Sequence, residues 1–207
     1  MHKAILQKDK SYTFSDYFHL AYPTKDIVAE FGYVYDLRKI PLPHGDLTDT
    51  LHKLKATFYK KLPRISLTSE AAKREVLVAP ILLELMEYIE VNLDIEYPVY
   101  VNEWLKGDVD YLLQSTQEFV VVEAKNADLE KGFSQLAVEL IAMEQYLEEY
   151  HQPILYGAVT VGNIWQFGSL EREHKRISKD IDTFRIPLDV DELFNILIGI
   201  LTPLKQD

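Results

Sequence analysis

The sequence predicts an α/β fold, a mixed central sheet flanked by helices and preceded by a mostly helical N-terminal extension. Three observations predict it. Apolar residues switch between helical and strand spacing along the chain. The run Phe119-Val120-Val121-Val122, short and β-branched, lies between two helical stretches. Eight glycines and nine prolines separate these segments without any repeat, low-complexity tract or long linker. With 207 residues, the chain is one domain or a domain with a small extension.

The elements follow in order. Thr13 and Ser15 offer N-caps for a short helix through Leu20, and Thr24 for another through Phe31. Gly32 then breaks into a strand at Tyr33–Leu37, and Pro41, Pro43 and Gly45 make a loop. From Asp46 to Leu62 the apolar positions Leu47, Leu51, Leu54, Phe58 and Leu62 form one helical stripe, which Pro63 ends. Thr68-Ser69 caps a helix running to about Ile89 and kinked near Pro80. Strands follow at Tyr97–Trp104, Val109–Leu113 and Phe119–Lys125, with a turn at Ser115–Gln117 and a loop at Asn126–Leu129. Glu130–Tyr150 is a long helix, apolar on more than one side from Leu136 to Met143, hence packed by more than one neighbour. Two strands, Ile154–Val161 and Ile164–Leu170, flank the tight turn Gly162-Asn163, and Asp191–Leu201 closes the chain as a helix.

Composition excludes several classes. There is no cysteine, so disulfide scaffolds, thiol catalysis and thiolate metal centres are out. No apolar run is long enough for a transmembrane helix and the N-terminus lacks a secretory pattern, so the expected location is cytoplasmic, away from the membrane. The six histidines show no zinc-pair spacing, and neither a P-loop nor a dinucleotide fingerprint occurs, so no organic cofactor is expected. The net charge is −11, which disfavours non-specific nucleic-acid binding. The charge is uneven, however. Residues 1–75 carry 13 Lys/Arg against 9 Asp/Glu, with Lys53, Lys55, Lys60, Lys61, Arg64, Lys73 and Arg74 concentrated together. That cluster is either a solvated helix face or a phosphate-contacting face.

The chemistry centres on Asp110, Glu123 and Lys125. Residues two apart on a strand share a face, so Glu123 and Lys125 point the same way. A hairpin turning at 115–117 brings Asp110 beside Glu123. Two adjacent carboxylates repel unless a cation lies between them, and an all-oxygen site favours Mg²⁺ or Mn²⁺ over zinc.

The pattern Gly107-Asp108-Val109-Asp110-Tyr111-Leu112-Leu113, then Val121-Val122-Glu123-Ala124-Lys125, then Gln135 in the next helix, resembles the PD-(D/E)XK nuclease superfamily, the restriction-endonuclease-like fold. Upstream, Ser69-Glu70-Ala71-Ala72-Lys73-Arg74 looks like the first core helix of such domains. The resemblance covers about residues 69–170. It divides the chain into an extension, 1–68, packed on a nuclease-like core, 69–207. It implies metal-dependent hydrolysis of DNA phosphodiesters. Asp110 and Glu123 would bind Mg²⁺ or Mn²⁺, with the Ala124 carbonyl as a third oxygen. Lys125 would position the attacking water and Gln135 would support the site. Glu70 best fits the acid that the first helix often contributes, with Glu75 second, and Asp108 is a rival to Asp110. The motif's proline is absent, Val109 standing before Asp110. Glu139, one turn after Gln135, approaches the site on the same helix face.

DNA is the expected partner, and a homodimer is plausible because cutting both strands often needs two copies. A second reading keeps the fold as a DNA- or protein-binding regulatory subunit without cleavage. A third, an acidic adaptor with no site, predicts no metal binding.

Overall fold

The computed structural model describes residues 4–47, 51–115, 119–125, 128–146 and 152–202. Three short helices and an edge strand come first: α1 (Phe14–His19), α2 (Thr24–Ala29), β1 (Val34–Arg38) and α3 (His52–Lys61). Then follow α4 (Glu70–Lys73), a π-helical turn (Arg74–Val78) and α5 (Ala79–Leu85). The strands β2 (Asn92–Asn102), β3 (Leu105–Gln114) and β4 (Phe119–Ala124) lead into α6 (Leu129–Tyr146). The chain closes with β5 (Ile154–Thr160), β6 (Ile164–Glu171), β7 (Arg176–Asp180), β8 (Phe184–Arg185) and α7 (Val190–Leu201).

One mixed sheet runs through the molecule in the order β1-β7-β6-β5-β4-β3-β2, with β8 also pairing β6. β1 is parallel to β7 and β4 to β5, while the other pairs are antiparallel. The α/β class with helices on both faces is therefore observed. The segment 1–68 also supplies a strand, β1, to the same sheet.

Two cores hold the layers together. On one face, Val121, Leu155, Val159 and Ile177 pack against α6 residues Phe133, Leu136, Leu140 and Ile141 and against Phe14 and Tyr17 of α1. On the other, Tyr111, Val120, Val122 and Trp165 pack against Leu54 and Phe58 of α3, Leu77, Ile81 and Leu85 of α5 and its approach, and Phe194 and Leu197 of α7. This explains why α6 is apolar on several sides: residues 132–143 are all buried. It lies close to the sheet because glycine stands beneath it. A Cβ at Gly168 would meet the Phe133 ring at 2.6 Å.

Local signals set the starts of α1 and α4. Thr13 precedes α1, and its backbone N–H donates to Asp16 Oδ2 at 2.7 Å. Ser69 Oγ accepts from the Ala72 N–H at 3.1 Å and caps α4. Pro80 has no N–H for the Val76 carbonyl, and the helix widens just before it: the Ala79 N–H donates to the Arg74 carbonyl, five residues back.

Several boundaries differ from the sequence expectation. α3 begins at His52 rather than Asp46; the Leu47 N–H donates to Asn195 Oδ1 and the Leu51 N–H to Asp191 Oδ1, tying these two residues to α7 instead. Thr24 opens α2 instead of capping it and its hydroxyl bonds Ser134 on α6. β2 runs from Asn92 to Asn102, starting five residues earlier than 97–104 and ending two residues earlier, and β3 extends beyond 109–113 at both ends, the two pairing from Asn92↔Gln114 to Asn102↔Leu105. β7 and β8 were not expected. Parts of the turn at 115–117 and of the loop at 126–129, and the end of the helix expected to reach Tyr150, lie outside the described residues.

Candidate functional site

The ladder between β3 and β4 ends at Tyr111↔Val122. Asp110 and Glu123 come next in that register, where β3 leaves β4 and continues with β2 alone. The split is marked by a change of face. Tyr111 and Leu113 belong to the α5 side of the sheet, whereas Leu105 and Val109 belong to the α6 side. Opposite Asp110 on β2, between the pairs Ile95↔Tyr111 and Tyr97↔Val109, stands Glu96 with φ +55°. A left-handed glutamate within a strand interrupts regular pairing and fits a hairpin that changes direction here.

Three acids thus occupy successive register positions across β2, β3 and β4, and α6 adds a fourth, Glu139. Glu123 and Glu139 are both fully buried. Gln135 Nε2 donates to Glu139 Oε1 at 2.8 Å. Among the described residues, Glu123 Oε2, Glu139 Oε2 and Gln135 Oε1 are buried without a hydrogen-bond donor.

Two cations face these acids. Lys125 Nζ pairs with Glu123 Oε1, and its ammonium lies 5.5 Å from the centre of the Phe18 ring. Gly132 at the start of α6 makes room for the lysine stem: a Cβ there would stand 3.2 Å from Lys125 Cγ and 2.7 Å from Val159 Cγ2. Arg74 comes from the π-helical turn. Its Nη1 lies 3.4 Å from Asp110 Oδ1 and 3.5 Å from Glu96 Oε1, and its guanidinium covers the Tyr111 ring at 5.2 Å.

The electrostatics follow from this crowding. Burial raises the Glu123 pKa well above the usual carboxylate range, Glu139 and Asp110 push it further, and Lys125 opposes them. Burial likewise raises Glu139 to about 7, against hydrogen bonds from Glu123 and Gln135. A proton shared between the two carboxyls satisfies oxygens that otherwise lack a donor. For Lys125, burial works against the ammonium, but Glu123, Asp110 and Glu139 together hold its pKa above normal.

Of the residues singled out in the sequence, Asp110, Glu123, Lys125 and Gln135 gather around this split. The charge of Asp110 acts on Glu123, Lys125 and Glu139 alike. Ala124 continues β4 opposite Thr160. Glu70 opens α4 and Glu75 lies exposed in the π-helical turn. Among the described residues, neither hydrogen-bonds or ion-pairs with Asp110, Glu123 or Lys125; the first helix reaches Asp110 through Arg74. Asp108 is exposed at the register position of Pro98. Glu96 had no signal in the sequence, because its place depends on a left-handed backbone.

The basic cluster divides. Lys53, Lys60 and Lys61 are exposed on α3, which packs on the sheet face opposite α6, and Lys55 is tied to Asp191 of α7 at 2.8 Å. Lys53 borders a groove of about 350 Å³ that Glu84 and Glu87 also line. Lys73 sits beside the β5–β6 turn, where a Cβ on Gly162 would be 3.1 Å from Lys73 Cβ.

No family model, curated protein or solved structure matches the chain.

The donor set fits a hard divalent cation. Every ligand atom offered is oxygen, and Glu123 Oε2 is buried without a hydrogen-bond partner among the described residues. Among the described residues, no three acidic or histidine side chains are already drawn in around one point. Here Arg74 and Lys125 hold Asp110 and Glu123 themselves.

Proposed function

We propose that the chain is a metal-dependent phosphodiesterase acting on DNA, with its site at the parting of β3 and β4. One observation carries this reading: the fully buried carboxyls of Glu123 and Glu139 act on each other and feel the charge of Asp110, at the parting where Arg74 and Lys125 bring positive charge. A salt-bridge cluster has no use for a second fully buried carboxyl, with its desolvation cost, beside one that Lys125 already pairs. A cation site does.

Asp110 and Glu123 would hold Mg²⁺ or Mn²⁺, with the Ala124 carbonyl as a further oxygen. The cation, when bound, supplies positive charge to a phosphoryl oxygen on which negative charge builds. Lys125 then no longer has to neutralise Glu123, and its ammonium donates hydrogen bonds to the attacking water and fixes its direction. Gln135 holds Glu139 through Oε1, and Glu139 in turn fills the space behind Glu123. Phe18 covers the lysine and keeps bulk water from one side of it.

Calorimetric titration with Mn²⁺ and a plasmid-nicking assay test the assignment on the parent and on Asp110→Asn, Glu123→Gln and Lys125→Ala. The parent binds Mn²⁺ and nicks DNA, both carboxylate variants lose both properties, and Lys125→Ala binds metal without cutting. Absence of metal heat in the parent, or its survival in both carboxylate variants, overturns the site. A regulatory subunit on the same fold is favoured by the ion pairs that already engage Asp110 and Glu123. That reading gains if metal binds normally and no form of DNA is cut.

A further inference from the structure

Arg74 is placed with more care than a solvated lysine or arginine needs. The π-helical turn that begins at Arg74, forced by Pro80 six residues on, widens the helix where this side chain leaves it. The guanidinium then lies over the Tyr111 ring, 5.2 Å from its centre, with Nε 3.5 Å from the Tyr111 hydroxyl, and faces both Asp110 and Glu96. Its side chain is 19% exposed. It is therefore sheltered yet partly open to solvent.

Arg74 and a divalent cation need the same carboxylate. Both cannot be held at Asp110 without mutual repulsion, so metal entry must loosen the Arg74–Asp110 contact. Glu96 and Tyr111 keep the guanidinium close by. A guanidinium, planar by its own bonding, matches the two oxygens of a phosphodiester.

We infer that Arg74 is a phosphate-binding residue of the site, held on Asp110 in the free protein and transferred to a backbone phosphate of the nucleic acid when a divalent cation takes Asp110. This rests on the metal site proposed above. Arg74 therefore couples the two ligands: metal prepares the arginine for phosphate, and phosphate, by drawing the arginine away, favours metal by the same factor.

The test uses the full chain, Arg74→Gln and Arg74→Lys, each checked for folding by circular dichroism. Mn²⁺ calorimetry without DNA comes first. Arg74→Gln removes a competitor and binds Mn²⁺ roughly fivefold more tightly than the parent, the worth of one partly exposed charge. Arg74→Lys keeps the charge and stays near the parent value. Anisotropy of a labelled duplex follows, on ice, over a salt series. With EDTA, the parent and Arg74→Gln share one salt dependence, because Arg74 is occupied by Asp110. With Mn²⁺, the slope of the parent is steeper by about one counterion. Arg74→Lys retains part of that difference but binds less tightly than the parent, since a lysine cannot grip two oxygens. Equal Mn²⁺ affinity in parent and Arg74→Gln, or equal salt slopes in Mn²⁺, overturns the coupling and leaves the metal site standing. Absence of Mn²⁺ heat in both proteins overturns the metal site, and this inference with it.

Discussion

Two lysine–glutamate pairs lie on the α6 side of the sheet, and they do different work. Lys179 on β7 pairs with Glu130 at the start of α6 and lies 5.3 Å from the centre of the Phe133 ring. Its side chain is 3% exposed, that of Glu130 78%. Lys125, after β4, pairs with Glu123, whose side chain is fully buried. In the first pair a buried lysine reaches out to a hydrated acid, and the charges balance. In the second the acid is the deeper partner, and Glu139 stands behind it with a second carboxyl. A balanced pair with one wet end anchors a helix to a strand. A buried acid in surplus, beside a lysine whose side chain is 13% exposed, keeps an electrostatic demand that a cation or proton must meet.

The largest effect that separates the pairs is on cleavage. Lys125→Ala should lower metal-dependent nicking by about 10²–10³-fold, the loss expected for one preorganised donor at a reacting oxygen. Lys179→Met should leave nicking within about twofold of the parent, since this change conserves volume and touches no site residue. Equal losses in a gel-based nicking series would erase the distinction.

Stability separates them next. Lys125→Met strands Glu123 in the interior and should cost about 3–5 kcal/mol at neutral pH by urea denaturation. The cost should shrink on acidification, because a protonated Glu123 needs no counter-charge. Lys179→Met leaves Glu130 exposed to water and should cost no more than about 1 kcal/mol, with little change across the same pH range.

A smaller effect concerns the surplus proton. Glu139 binds its proton more tightly when folded, its pKa rising from 4.5 to about 7, and Glu123 shifts in the same direction. The folded state therefore holds more protons than the unfolded state between those values, and stability should fall as pH rises through that window. The groups around Glu139 are Glu123, Asp110 and Lys125. In EDTA, Glu139→Gln should flatten the fall in Tm between pH 5 and pH 8 (roughly the limits of that window) and be more stable than the parent at the upper end. A Tm profile as steep as the parent's would place the proton elsewhere.

Much of the fold was legible in the residues because the signals are local. Ser69 caps α4, Pro80 distorts the helix before it, and the valines of β4 demand a buried strand. The same locality let Glu123 and Lys125 be assigned to one side of a strand. β7 is not legible in its residues for the opposite reason. Arg176-Ile177-Ser178-Lys179-Asp180 has one large apolar residue, and its polar groups become buried only through distant partners: Lys179 through Glu130, and the Asp180 carbonyl through Gln166 Nε2 at 2.7 Å. β8, two residues long, has too little sequence to carry a period.

The sequence by itself determined the layered α/β class, the helices and strands from Ser69 to Leu170 with the closing helix, and the choice of Asp110, Glu123, Lys125 and Gln135. Period, punctuation and residue chemistry are properties of neighbours along the chain. Only the tertiary structure decided that β1 joins the far edge of the sheet, that the hairpin changes face at Glu96 and Asp110, and that Arg74 rather than Glu70 reaches the acid cluster. Each of these depends on which strand lies beside which and on how a helix widens before a proline. Such contacts join residues many positions apart, and their energy is settled by burial and charge in the assembled molecule, where no local pattern records it.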